Sequence, residues 1–192
     1  MMRHLKPLVA MSLLFLTPAI SSAEESTAED FLAERLGHVR LVPGQMVQLP
    51  TRPAHGQAAP LGPEFVTQTY MIGNWTSGRA YSIGALEGVS VLHNLDSDLF
   101  PTTMFSYSGY GQVEVPSRAP WYQFFGYTTN PNNIYGQAKT CIWQVSVSII
   151  GGACNAHVTV NTFGEQGATC WLSGDSHVEP FHCGVYLGLG IL

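Results

Sequence analysis

Residues 140–163 read TCIWQVSVSIIGGACNAHVTVNTF, and this stretch decides the fold. Ile142–Ile150 and Ala156–Phe163 are runs of β-branched and alternating residues, which suit a pleated, half-buried surface. Gly151-Gly152 between them adopts φ > 0 without steric cost, as a two-residue hairpin turn requires. With that turn, Ile149 faces Cys154. Alternation then puts Ala156, Val158 and Val160 on one face and His157, Thr159 and Asn161 on the other.

The same pattern extends outward in both directions. Phe65–Ile72, Arg79–Ile83, Val89–His93, Thr103–Tyr107, Gln112–Val115 and Trp121–Thr128 read as strands before the hairpin, and Ala168–Leu172 and His182–Leu187 after it. Gly73-Asn74, Ser108-Gly109, Asn130-Pro131-Asn132-Asn133 and Ser173-Gly174-Asp175 punctuate them. Many short strands at this spacing predict a mainly β domain over 64–192, an antiparallel β-sandwich or barrel-like fold.

All four cysteines, Cys141, Cys154, Cys170 and Cys183, fall in this region. No Cys-x-x-Cys pair is present to clamp zinc, so two disulfides are expected. Cys141–Cys154 and Cys170–Cys183 share a spacing of 13 residues, which favours two similar units, each closed by a neighbouring pair. The tight hairpin opposes this, because it puts Cys141 roughly 25 Å from Cys154, whereas a disulfide needs Cα atoms within about 7 Å. Crossed bridges, from Cys141 to Cys170 or Cys183 and from Cys154 to the other, are the alternative. The expectation carried forward is the neighbouring pairing.

Residues 1–23 have the order of a secretory signal peptide. Arg3, His4 and Lys6 precede an uncharged apolar stretch, Pro7 to Ile20, and Ser21 and Ala23 suit cleavage. The apolar stretch is shorter than the ~18–20 residues of a spanning helix. A secreted or periplasmic chain without a transmembrane helix after signal cleavage is expected, in a compartment that favours disulfides. Over 24–63 the sequence predicts a short helix, Glu24 to Val42, and then a Pro-rich arm with Pro50, Pro53, Pro60 and Pro63.

Without Arg3 and Lys6, six basic residues would face thirteen acidic ones. So few cations release few counterions from phosphate, which excludes nucleic acid as an expected partner. They equally oppose docking on anionic lipid.

Candidate chemistry is sparse. His177 and Glu179 share a face of an extended segment, and His182 follows; together they form a candidate zinc or copper set, with Asp175 placed to orient an imidazole. His93-Asn94-Leu95-Asp96-Ser97-Asp98 offers oxygens at alternate positions but lacks the glycine and glutamate of a calcium loop, so it reads as an Asx-rich turn. No nucleophile elbow, helix-borne metalloprotease motif or phosphate-cradling loop occurs. The aromatics are denser. Trp121, Phe125 and Tyr127 share one face of a strand, Tyr122 and Phe124 the other, and Asn132 lies in the following loop. The expected function is an exported binding module that recognises a carbohydrate or protein through Trp121, Phe125, Tyr127 and Asn132. The alternatives are a metal-dependent enzyme or metal-binding protein, and an envelope structural or outer-membrane-associated protein. No cofactor is expected on the first reading.

Overall fold

The computed structural model describes residues 30–34, 36–53, 64–104 and 106–192. The signal peptide expected over 1–23 and most of the expected Pro-rich arm lie outside the described residues. Among these described residues, helix occurs over 30–34 and at 36 (α1), followed by thirteen strands. These are β1 (Val39–Leu41), β2 (Val47–Gln48), β3 (Phe65–Asn74), β4 (Ala80–Ile83), β5 (Ser90–His93), β6 (Asp98–Leu99) and β7 (Gly109–Pro116). β8 (Trp121–Thr128), β9 (Thr140–Ile150), β10 (Ala153–Phe163), β11 (Cys170–Leu172), β12 (His177–Val178) and β13 (Val185–Ile191) complete the set.

The strands form a sandwich of two sheets. Sheet A runs β1-β11-β13-β3-β7-β5, with β12 also paired to β13, and sheet B runs β2-β10-β9-β8-β4-β6. All ladders within the sheets are antiparallel except β3–β13, which is parallel. The expected hairpin forms as read. Gly151 and Gly152 both have positive φ, 59° and 83°, and Cys154 pairs with Ile149. From that register Ser146 faces His157, and Gln144 faces Thr159.

The core lies between the sheets. Alternate residues of β9 and β10, Trp143, Val145, Ala156, Val158 and Val160, meet Tyr70, Ile72, Leu187 and Leu189 of sheet A. Solvent reaches the outer face of sheet B, where polar residues such as Gln144, Ser146, His157 and Thr159 dominate. This is the reverse of a lipid-facing barrel, in which the outer band is apolar.

Both disulfides bind one sheet to the other. Cys141 on β9 pairs with Cys170 on β11, and Cys154 on β10 pairs with Cys183 in the loop before β13. The neighbouring pairing is therefore corrected, and the tight hairpin is the reason. Each bridge spans 29 residues. The equal spacing of 13 reflects two segments facing each other across the sandwich, not two self-closed units.

Two further expectations are corrected. Residues 39–41, read as the end of a helix, form β1 on the edge of sheet A. Gly37, at φ +61°, ends the helix by turning the backbone left-handed. Of residues 103–107, read as a strand, those described (103, 104, 106 and 107) lie in a loop against Trp75: Ser106 N–H donates to Thr103 O, and the Trp75 indole donates to Ser106 O. That loop belongs to a second, smaller core outside sheet A, in which Leu32 of α1, Trp75, Trp171 and Leu192 pack together. Gly190 admits the Trp75 ring onto the sheet, since a Cβ there would come within 2.3 Å of it.

Candidate functional site

Two surfaces combine exposure with recognisable chemistry: the outer face of sheet B and a cleft on the outer face of sheet A.

On β8 the aromatic residues divide as alternation requires, but the wet face is Tyr122 and Phe124, 55% and 44% exposed. Phe125 and Tyr127 are 0% exposed and belong to the main core, and Trp121 packs against that core. The assignment of Phe125 and Tyr127 to a ligand is corrected accordingly, and Trp121 is half-buried at the edge of that core. The cause is visible in the packing. Phe125 meets Tyr70 of sheet A edge-on at 5.0 Å and Trp143 of its own sheet at 6.0 Å, so it packs between the sheets. Gln123, on the same inward face, is tolerated because the Glu87 backbone satisfies its amide in both senses. Asn132 is exposed, yet it sits in the turn beyond Thr128, at the opposite end of β8 from Tyr122; its N–H donates to Asn130 Oδ1.

Around Tyr122 and Phe124 the sheet register lays out two rows. Tyr122, Ser146, His157 and Gln48 are successive partners on β8, β9, β10 and β2. Phe124, Gln144 and Thr159 are the next. Thr159 Oγ1 donates to Gln144 Oε1 at 3.1 Å, and Gln48 Nε2 donates to Asn155 Oδ1 at 3.2 Å. These rows hold hydroxyls, amides, an imidazole and two aromatic rings, and no Asp, Glu, Lys or Arg. The signal for them lay in the Gly151-Gly152 hairpin, which fixes which side chains of β9 and β10 stand together.

The cleft on sheet A is about 400 Å³. Thr67 and Thr69 of β3, Tyr186 of β13 and His177 of β12 line it, with Glu179 and His182 from the loop between β12 and β13. The sequence-derived trio His177, Glu179 and His182 therefore does share one cavity. Among the described residues, however, no group of three or more His, Cys, Asp or Glu side chains is placed to hold a metal ion. His177 Nδ1 donates to Asp175 O at 2.8 Å, which leaves Nε2 as the acceptor of the neutral ring. The imidazole stacks on Tyr186, with centroids 5.7 Å apart. Partial burial pushes the Tyr186 phenol above its ordinary range, and Tyr107 and Asp175 push it the same way. Asp175, expected to orient an imidazole through its carboxylate, does so through its carbonyl; its carboxylate lies 3.6 Å from Arg52.

The Asx-rich stretch is structural. Asn94 Oδ1 accepts from Leu86 N and Leu95 N, Asp96 Oδ2 accepts from Tyr110 N, and Asp98 pairs with Arg79 at 2.7 Å. No helix among the described residues is long and apolar enough to cross a membrane. No protein-family model, curated protein or solved structure matches the chain.

Proposed function

We propose that the protein is an exported, non-catalytic binding module that grips a neutral carbohydrate on the outer face of sheet B. The observation that carries this reading is the pairing of two exposed aromatic rings with a charge-free row of hydroxyl and amide groups. A sugar ring has an apolar C–H face and a rim of hydroxyls. The first suits Tyr122 and Phe124 by packing on an aromatic surface, and the second suits groups that donate and accept together. A charged protein partner would leave such a face without its usual steering electrostatics. The two rings sit two residues apart on one strand, roughly 7 Å, so they present a continuous platform along β8. Export is supported by the signal-like N-terminus and by two disulfides that hold the sheets together.

Affinity electrophoresis against a panel of soluble neutral polysaccharides tests the proposal. At least one polymer is expected to retard the protein, and the Tyr122→Ala, Phe124→Ala double variant should migrate as if the polymer were absent. Loss of a central aromatic contact of this kind costs about 2 kcal/mol or more of binding. Phe181→Ala, at an exposed phenylalanine in a loop of sheet A, serves as the control. Equal retardation of the double variant and the wild type would remove the platform from consideration.

A further inference from the structure

We propose that the cleft on sheet A is a second binding site, separate from the sheet B platform, and that it takes a small primary ammonium group on the Glu179 carboxylate. Among the described residues of the lining, Glu179 is the only side chain of the Asp, Glu, Lys and Arg types. Among the described residues its carboxylate forms no ion pair or hydrogen bond. A partly buried carboxylate without a partner favours a cation that brings its own donors.

The rest of the lining fits the same ligand. His177 presents Nε2 as an acceptor, because its Nδ1 proton is held by Asp175 O. Thr67 and Thr69 add hydroxyls that accept as well as donate. An ammonium offers three donors and no acceptor, the complement of this set. Phe65 and Tyr186 supply aromatic walls for the carbon chain and for the charge.

The loop that carries Glu179 and His182 is held in place before any ligand arrives. Glu179 N–H donates to Gly184 O at 2.8 Å, and the buried Gln68 amide donates to Cys183 O at 2.9 Å. Cys154 N–H donates to Pro180 O at 2.9 Å, and the Cys154–Cys183 disulfide ties the loop to sheet B. Cys183 has φ 66°, a left-handed conformation that a side chain makes costly and that persists where the surroundings impose it. Gly184 completes the arrangement: a Cβ there would stand 2.8 Å from Glu179 Oε2 and 3.0 Å from Val66 Cγ2. The missing side chain is the space in which the carboxylate sits.

Amide NMR of the full chain with disulfides intact tests the inference, using n-butylammonium, n-butanol and tetramethylammonium as probes at neutral pH. Butylammonium is expected to shift the resonances around Thr67, Thr69, Glu179 and Tyr186 in a saturable way, and to leave those around Tyr122 and Phe124 unmoved. Butanol, which lacks the charge, and tetramethylammonium, which lacks donors, should bind at least roughly tenfold more weakly, the scale of one charge-assisted hydrogen bond. Glu179→Gln should weaken butylammonium by a similar factor without altering the melting temperature. Gly184→Ala, which keeps the acid but displaces it, should weaken it too. The inference is overturned if butylammonium causes no saturable shift, if butanol or tetramethylammonium binds equally well, or if Glu179→Gln binds as the wild type. The location of the shifts separates this outcome from that of the carbohydrate platform.

Discussion

Phe124 and Phe125 are neighbours on β8 and face opposite worlds: Phe124 is 44% exposed, and Phe125 is 0% exposed between the two sheets. Truncation should therefore act on different properties. Phe125→Ala removes a ring that touches Tyr70 and Trp143 and should cost about 3–5 kcal/mol of stability. Phe124→Ala should change stability by less than about 1 kcal/mol, since its outward ring fills no cavity. Chemical denaturation of the two variants checks this. Similar losses for both would mean that β8 is buried on both faces.

This pair also shows how far the sequence could be read. Alternation groups Trp121, Phe125 and Tyr127 apart from Tyr122 and Phe124, and the grouping holds. Alternation does not say which group meets the other sheet, because a strand's period is the same from either side. That choice is made by sheet A, which brings Tyr70 up to Phe125, a contact between residues far apart in sequence. The hairpin was legible because its signal is local: Gly151-Gly152 fixes the turn and the turn fixes the register. The parallel β3–β13 ladder was not, since nothing near Phe65 or Val185 announces its partner. Short strands such as β2 and β12 carry too few residues for a period and exist by virtue of the edges they cover. The cleft was half legible, in that His177, Glu179 and His182 were singled out together. What they share is a cavity wall, not a coordination geometry.

The disulfides interlock, since the chain segment closed by Cys141–Cys170 overlaps the one closed by Cys154–Cys183. A loop of this length corresponds to about 3–4 kcal/mol in the chain-entropy description. Removing both bridges should cost more than twice removing one from the intact protein, because each already restricts residues of the other's loop and so adds less in the other's presence. Paired serine substitutions, measured by urea denaturation, check the magnitude. The two bridges should also differ in effect: Cys154→Ser, Cys183→Ser should loosen the Glu179 loop and weaken butylammonium, and Cys141→Ser, Cys170→Ser should not. Peptide mapping without reductant should recover the 141–170 and 154–183 pairs and no free thiol.

Alkaline pH should unfold the protein through its tyrosines. Burial pushes the Tyr70 phenol well above its ordinary value near 10.0. Tyr127 is raised first by burial and then by the Asp96 charge, and its hydroxyl donates to Asp96 O at 2.7 Å. A phenol whose folded-state pKa lies above its unfolded value keeps its proton longer in the native state. Its contribution to stability is complete below the unfolded value and is lost as pH rises above it toward the folded value. Stability should thus be flat with pH up to about 10 on this account and fall beyond it. Tyr127→Phe should make the fall shallower, at a cost near 1 kcal/mol at neutral pH for the lost hydrogen bond. A fall of unchanged steepness in Tyr127→Phe would assign the alkaline sensitivity to other groups.

The carbohydrate platform makes its sharpest prediction at Gln144, which sits beside Phe124 and accepts from Thr159. That bond uses Oε1 and leaves the Nε2 amide as a donor next to the aromatic ring. Thr159→Val keeps the side chain's shape but removes the hydroxyl that holds the amide. Gln144 then swings freely, and binding should weaken by the ordering it must recover, about 0.5–1.5 kcal/mol. Gln144→Glu keeps the length but turns the donor into an acceptor and places a charge on a face that has none. A sugar hydroxyl can donate to a carboxylate, so loss of hydrogen-bonding capacity alone would be small; the larger cost comes from desolvating the charge under a bound ring. Gln144→Glu should therefore weaken binding more than Thr159→Val, by roughly 2 kcal/mol or more, and both should leave melting within a degree or two, as substitutions on a solvated face do. Titration of both variants with the polysaccharide that retards the wild type checks the order. If Gln144→Glu binds as tightly as the wild type, the ligand does not cover Gln144, and the platform ends at the two aromatic rings.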